Sequence, residues 1–217
     1  MEKINERQPQ VRFDEFDDEW TLTELSNVFS IPEKVSEVPE TVDELLTVKL
    51  HMQGVTAGVA RKTLKLGATK YFVRHAGQFI YGKQNFHNGS MGVVPAEYDG
   101  KLTSGMVPSL DVFSDKYDVE YLVNYLGRPV FYENAVAYAS GTGSKLIQEK
   151  VLLSFKIPIP EKAEQTKIGL FFKHYSALKD AQETRVKLLK KIKQGLLQQM
   201  LLLFALVSLM RIGLRLS

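Results

Sequence analysis

Polar and apolar positions follow two different rhythms along this chain, and the slower one dominates its last quarter. Between residues 157 and 200, apolar side chains recur at Ile168, Phe171, Tyr175, Leu178, Leu189, Ile192, Leu196 and, just beyond, Leu203. That three-four alternation predicts one long helix with a coiled-coil seam. Gln182 and Arg185 occupy the two seam positions between Leu178 and Leu189, and polar residues there lower stability while fixing register. Pro158 and Pro160 restrict the entry, and Pro160 suits the first helical position. Glu161 and Glu164 complement the positive end of the helix dipole. Forty residues of such a helix extend about 60 Å at 1.5 Å per residue. The plainer alternative is an amphipathic helix packed on its own domain, but a face buried in that way is broader than two positions in seven.

Upstream the rhythm is faster and broken by glycine. Phe13, Phe16 and Trp20 are anchors in a charged approach, and the run Asp14 to Glu19 reads as a solvated entry. Thr21 to Phe29 fits a short helix with Leu22, Leu25, Val28 and Phe29 on one face. From Leu46 the texture turns to short β-prone runs at 46–50, 71–74, 78–81, 92–94 and 111–113. Val119 to Leu126 predicts a helix that Arg128-Pro129 breaks before a second apolar stretch, 130–138. Residues 151–159 read as a last strand. The expectation is an α+β chain: one mixed α/β domain over residues 1–158, followed over 159–217 by the long coiled-coil helix and an apolar C-terminal tail.

Composition narrows the function classes more than it selects one. Of 217 residues, 44% are hydrophobic and 24% charged, ordinary values for a folded globular chain. A net charge of +3 does not announce a nucleic-acid binder, so any such role rests on local clustering. The absence of cysteine removes disulfides, thiolate zinc sites and cysteine nucleophiles. MEKINERQPQ lacks the apolar segment of a secretory signal, which predicts a cytoplasmic protein. Leu201 to Met210 is nearly all apolar but far shorter than the roughly 20 residues of a bilayer-spanning helix. It reads as more of the same helix, with Leu206 and Met210 extending the seam.

Candidate chemistry is of the binding kind. The loop Tyr81-Gly82-Lys83-Gln84-Asn85-Phe86-His87-Asn88-Gly89-Ser90 carries side chains suited to reading DNA. Gln84, Asn85 and Asn88 can pair with adenine, Lys83 can reach guanine or phosphate, and Ser90 is a short adaptable contact. The competing reading is an ordinary polar surface loop. In Ser140-Gly141-Thr142-Gly143-Ser144-Lys145, amides, the hydroxyls of Thr142 and Ser144, and Lys145 suit phosphate oxygens or a base edge. It is not a P-loop, because Ser144 separates Gly143 from Lys145. Arg61, Lys62, Lys65, Lys70 and Arg74 form a basic cluster for phosphate contact or simple solvation. Lys187, Lys190, Lys191 and Lys193 lie on the helix. The four histidines are scattered without metal-ligand spacing, no nucleophile elbow or dinucleotide fingerprint occurs, and no catalytic or metal site is expected.

The order IPIP, Glu164-Gln165, Ile168-Gly169, Leu188-Leu189 and Lys193-Gln194-Gly195-Leu196-Leu197-Gln198-Gln199-Met200 resembles the helical spacer of specificity subunits from Type I restriction-modification systems. Pro9-Gln10-Val11-Arg12-Phe13, Phe16 and Trp20 resemble the lead-in to their target-recognition domains. Members of that family typically carry two recognition domains and two spacer helices in tandem; this chain has one of each and resembles a half-subunit. The family turns more polar after its LLQQM element, so the tail departs from pattern, as a truncated or frame-shifted gene end would. The resemblance also implies DNA contacts in the polar segment before the last strand.

What it implies for function is a non-catalytic subunit that reads one half of a bipartite DNA target. The helix would pair antiparallel with a second copy or another recognition subunit through Ile168, Phe171, Tyr175, Leu178, Leu189, Ile192, Leu196 and Leu203, and so set spacer length. The implied partners are double-stranded DNA, methyltransferase subunits and a restriction subunit. S-adenosylmethionine, ATP and Mg would belong to those partners, with no cofactor in this chain. The alternative is a truncated specificity subunit acting as a coiled-coil interaction protein without productive DNA targeting.

Overall fold

A computed structural model describes residues 9, 11–58, 67–139 and 145–213, with side chains described to residue 204. The strands are β1 (Thr21–Glu24), β2 (Phe29–Ser30), β3 (Ser36–Glu37), β4 (Leu46–Val48), β5 (Val55–Ala57), β6 (Tyr71–Val73), β7 (Phe79–Tyr81), β8 (Met91–Val93), β9 (Leu102–Ser104) and β10 (Ser109–Val112). Then follow α1 (Val119–Leu126), α2 (Pro129–Asn134), α3 (Glu149–Leu153), β11 (Lys156–Ile159) and α4 (Lys162–Gly213). The strands form antiparallel sheets in the orders β1-β11, β2-β10-β7-β8, β3-β6-β9 and β4-β5. The architecture is mixed α/β with one long terminal helix, as the sequence pattern leads one to expect. The chain divides into two compact units, residues 1–170 and 171–217.

The first unit is organised about β7. Its residues Phe79, Ile80 and Tyr81 are all fully buried, because side chains alternate across a strand and both faces of this one are covered. Phe79 and Tyr81 join the main core with Leu25, Phe29, Phe86, Leu110, Leu122 and Leu126. Ile80 points the other way, into a smaller cluster with Leu46, Val48 and Val94. An apolar run without alternation thus marks a strand buried on both sides.

The expected strands at 46–50, 71–74, 78–81, 92–94 and 111–113 all form, and α1 occupies the expected residues. Asp118 caps α1 by accepting a bond from the Tyr121 amide at 3.0 Å, while Tyr121, Leu122, Tyr125 and Leu126 form its buried face. Pro129 opens α2, where its missing N–H costs nothing. Two expectations are corrected. Residues 21–29 are not a helix but β1, a 3-10 turn and β2. Leu22 is exposed while Leu25, Val28 and Phe29 are buried, and the backbone of β1 is paired with β11, Thr21 opposite Ile159 and Glu24 opposite Lys156. Residues 151–159 are not one strand either, since α3 takes their first part and β11 begins at Lys156.

The first turns of α4 belong to the first unit, which extends beyond the 158/159 boundary expected from sequence to Leu170. Glu164, fully buried, accepts a two-pronged bond from Arg12, 2.7 Å from both Nε and Nη2, and a third bond from the Trp20 indole at 3.1 Å. Gln165 accepts from the Asp118 amide at 2.9 Å and donates to the Pro160 carbonyl at 2.9 Å. Lys167 pairs with Glu15 and lies 4.5 Å from the centre of the Phe13 ring. A Cβ on Gly169 would sit 2.8 Å from Asp118 Oδ1 and 2.9 Å from Glu120 Cβ. Only glycine lets α4 pass the start of α1 this closely. The Glu-Gln and Ile-Gly pairs singled out in the sequence therefore dock the helix start.

In the second unit α4 continues without a break, and among the described residues no helix is long and apolar enough to cross a membrane.

Candidate nucleic-acid interface

The loop between β7 and β8 is built on Phe86, fully buried and edge-on to Tyr81 with ring centres 5.5 Å apart. A 3-10 turn over Phe86–Asn88 ends at Gly89, whose φ of +66° is a left-handed value that glycine reaches without strain. The loop is braced on one side by Leu50–Gln53. There the His51 and Met52 amides donate to the Asn88 and Gly89 carbonyls at 2.7 and 2.9 Å. Both residues hold φ of 56° without being glycine, a conformation retained only where surrounding bonds over-determine it. On the other side, the Lys83 amide donates to the Met106 carbonyl at 2.9 Å, and the Lys83 carbonyl accepts from the Ile147 amide at 3.0 Å. The Tyr81 hydroxyl donates to the Ile147 carbonyl at 3.2 Å.

This bracing sorts the residues the sequence proposed. Gln84 and Asn85 are exposed, and Asn88 is half-buried beside Asn85, its amide 3.4 Å from the Asn85 Oδ1. Lys145 is exposed, two residues before the Ile147 that bonds Lys83, so the chain keeps it near the loop. Two candidates are corrected. Ser90 is buried and donates to the Val48 carbonyl at 3.1 Å, because it sits where Gly82 passes close beneath it. Lys83 is withdrawn from solvent and its Nζ lies 2.8 Å from a carboxylate oxygen of Glu149. Neither side chain is presented to a ligand. Burial pushes the Glu149 carboxyl up, but hydrogen bonding and the charge of Lys83, with Lys34 farther away, hold it below the usual carboxylate range.

The basic cluster also divides. Lys70 is exposed. Arg74 is not a phosphate contact: it is buried and donates to Thr103 Oγ1 at 2.6 Å, Ser109 Oγ at 3.1 Å and the Val107 carbonyl at 3.1 Å. Burial brings its pKa down to about 10. Arg61, Lys62, Lys65, Thr142 and Ser144 lie outside the described residues. Among the described residues, no group of His, Asp or Glu is placed to hold a metal ion.

Along the helix, Phe171, Tyr175, Leu178, Leu189, Ile192, Leu196 and Leu203 are all about half exposed or more, between 49% and 62%. Ile168 is the exception. It packs partly buried against the main core of the first unit, so the seam available to a partner starts one step later than the periodicity suggests. Lys187, Lys190, Lys191 and Lys193 are exposed.

Sequence reasoning missed Glu149, and although Glu164 does lie in the first turn of α4 as expected, it missed that residue's bond to Arg12. A glutamate at the start of a helix carries no sign that a lysine 66 residues earlier folds onto it.

Comparison of the sequence with family models and with curated proteins finds no match. Solved structures do match. The crystal structure of the HsdS subunit from Thermoanaerobacter tengcongensis aligns with a TM-score of 0.57 at 15% identity, covering 77% of this chain and 45% of that chain. A second, from work on complex assembly and conformational transition of the type I R-M system, aligns with a TM-score of 0.52 at 14% identity and the same coverage. At these identities the likeness is one of fold, and the chain spans less than half the length of each matched chain.

Proposed function

We propose that this chain is a DNA-recognition subunit of a Type I restriction-modification system, in a half-length form that reads one half of a bipartite target and catalyses nothing itself. The observation that carries the reading is the fold shared with the HsdS subunit. The sequence motifs of the lead-in and of the helix point the same way. In this reading Gln84, Asn85 and Asn88 face base edges, Lys145 lies nearby, and Thr142 and Ser144 belong to the same segment as Lys145. The cluster with Arg61 and Lys62 adds phosphate contacts, which supply sequence-independent affinity.

The helix from Phe171 onward is the pairing element. Its half-exposed apolar line suits an antiparallel partner from a second copy or another recognition subunit. The first unit, with its docked helix start, then serves as the reading head, and the paired helices set the distance between two such heads. Methyltransferase subunits with S-adenosylmethionine, and a restriction subunit using ATP and Mg, are the partners of this reading.

Mapping methylated sites in cells that carry this chain with its methyltransferase is the decisive test. With this chain as the sole recognition subunit, the expected result is one half-site repeated in inverted orientation around a fixed gap. A complex that assembles but binds no defined duplex in a salt-dependent way would instead favour a coiled-coil interaction protein.

A further inference from the structure

Leu22, which the sequence pattern sets on one face of a helix, lies instead on β1 and is 55% exposed. It lines a cleft of about 370 Å³, together with its strand partner Pro158 and with Lys156 of β11. The wall of the cleft is aromatic. Tyr125 comes from α1, Phe131 from α2, Tyr138 from the 3-10 turn that follows α2, and Phe155 from just before β11. Their rings meet edge to face, with centres 6.2 Å apart for Tyr125 and Phe131, 5.9 Å for Phe131 and Phe155, and 5.3 Å for Tyr138 and Phe155. Such packing fixes the wall before a ligand arrives. Val130 and Tyr138, also in the lining, are 47% and 65% exposed. Apolar side chains gathered in this way mark a surface that another molecule covers.

Charge selects what covers it. The Arg128 guanidinium carbon lies 3.7 Å from the centre of the Tyr125 ring, and Arg128 Nε donates to the Tyr125 carbonyl at 3.2 Å. These two contacts fix the guanidinium plane and leave its Nη groups, like Lys156 Nζ, without a hydrogen-bond partner among the described residues. No Asp or Glu among the described residues lines the cleft. Phosphate alone would answer the two cations and leave the rings in water. The fork of a stacked guanidinium matches a carboxylate, and the aromatic wall matches a large apolar side chain. We propose that this cleft docks a segment of a partner protein that carries both, the apolar side chain against Phe131 and Phe155 and a neighbouring carboxylate on Arg128, with Lys156 adding attraction. The cleft shares no residue with the β7–β8 loop, so the proposal stands apart from the reading of that loop.

Titration calorimetry on the full chain tests it with three capped hexapeptides in a Gly-Ser background. One carries Phe followed by two Asp, one Phe followed by two Asn, and one Ala followed by two Asp. The first should bind with a Kd below about 1 mM, and each of the others about tenfold more weakly, since each lacks half of the recognised chemistry. Arg128→Gln should weaken the first peptide about tenfold, the loss of one hydrogen bond between charged groups. Val130→Asp places a carboxylate on the rim, in the first turn of a helix where it is tolerated, and should abolish binding of the acidic peptides; it remains decisive if Arg128→Gln does not fold. Equal binding of the Asp and Asn peptides, no binding of the first peptide at 1 mM, or an affinity unchanged in both variants overturns the proposal. So does phenylacetate binding as tightly as the peptide, which would make this a small-molecule site. A peptide that does not bind while Arg128→Gln weakens binding to a DNA duplex would give the cleft to nucleic acid and overturn it as well.

Discussion

At the scale of single residues, polar side chains in the first unit divide into those that brace and those that face outward. Asn85 faces outward. Asn85→Ala should weaken binding by about 1–3 kcal/mol if the amide pairs with a base, and should relax the methylated motif at one position; unchanged affinity and motif would remove it from the interface. Glu164 braces. Glu164→Leu leaves Arg12 and the Trp20 indole without their acceptor, a loss of roughly 3 kcal/mol for a broken buried ion pair. For a protein of this size that lowers Tm by about 6–12 °C, and scanning calorimetry would show it; a shift within 2 °C would mean that the contact is not maintained in solution. Residue chemistry was legible in the sequence only as a set of types. Lys83, Gln84 and Asn85 look alike as polar loop residues, and only the folded position of Glu149 separates the first from the others.

At the scale of elements, periodicity is a reliable guide where one rhythm persists and a poor one where a few apolar residues happen to fit. The long helix keeps its pattern over many turns and forms as expected. Residues 21–29 show helical spacing over barely two turns, and backbone pairing of β1 with β11 overrides it, since a partner strand far along the chain leaves no local trace. β7 was legible because burial on both faces demands an apolar run. The seam yields a clean experiment. Leu189 is 55% exposed in the single chain, so Leu189→Asp should leave the melting of the first unit unchanged while abolishing self-association, because an unpaired carboxylate buried between helices is costly. Sedimentation at tens of micromolar would decide it, and a variant that still dimerises would place the contact elsewhere.

For the whole molecule, the proposal makes helix length a property of the DNA target. If two copies pair antiparallel, their two-fold axis requires an interrupted palindrome. Removing one heptad after Phe171 shortens the helix by about 10 Å, or about three base pairs at the 3.4 Å rise of a DNA strand. Methylation mapping should then show the same half-sites around a shorter gap. A gap indifferent to the deletion would contradict the arrangement.

The bonds from Arg12 and Trp20 to Glu164 span 152 and 144 residues of chain, and β1 pairs with β11 over a similar distance. During synthesis, therefore, the earliest part of the first unit waits for almost the whole of that unit to leave the ribosome. At about 5–20 residues per second, the delay is roughly 7–30 s, and closure of so long a loop is intrinsically slow. Because the helix start supplies the last contacts, an apolar seam reaches the outside only after the globule has what it needs to close, which limits premature pairing between half-made chains. A fragment of residues 1–170 should melt in one cooperative transition, and one of residues 1–155, lacking β11 and Glu164, should show none; calorimetry that finds the two alike would place the closing step earlier in the chain.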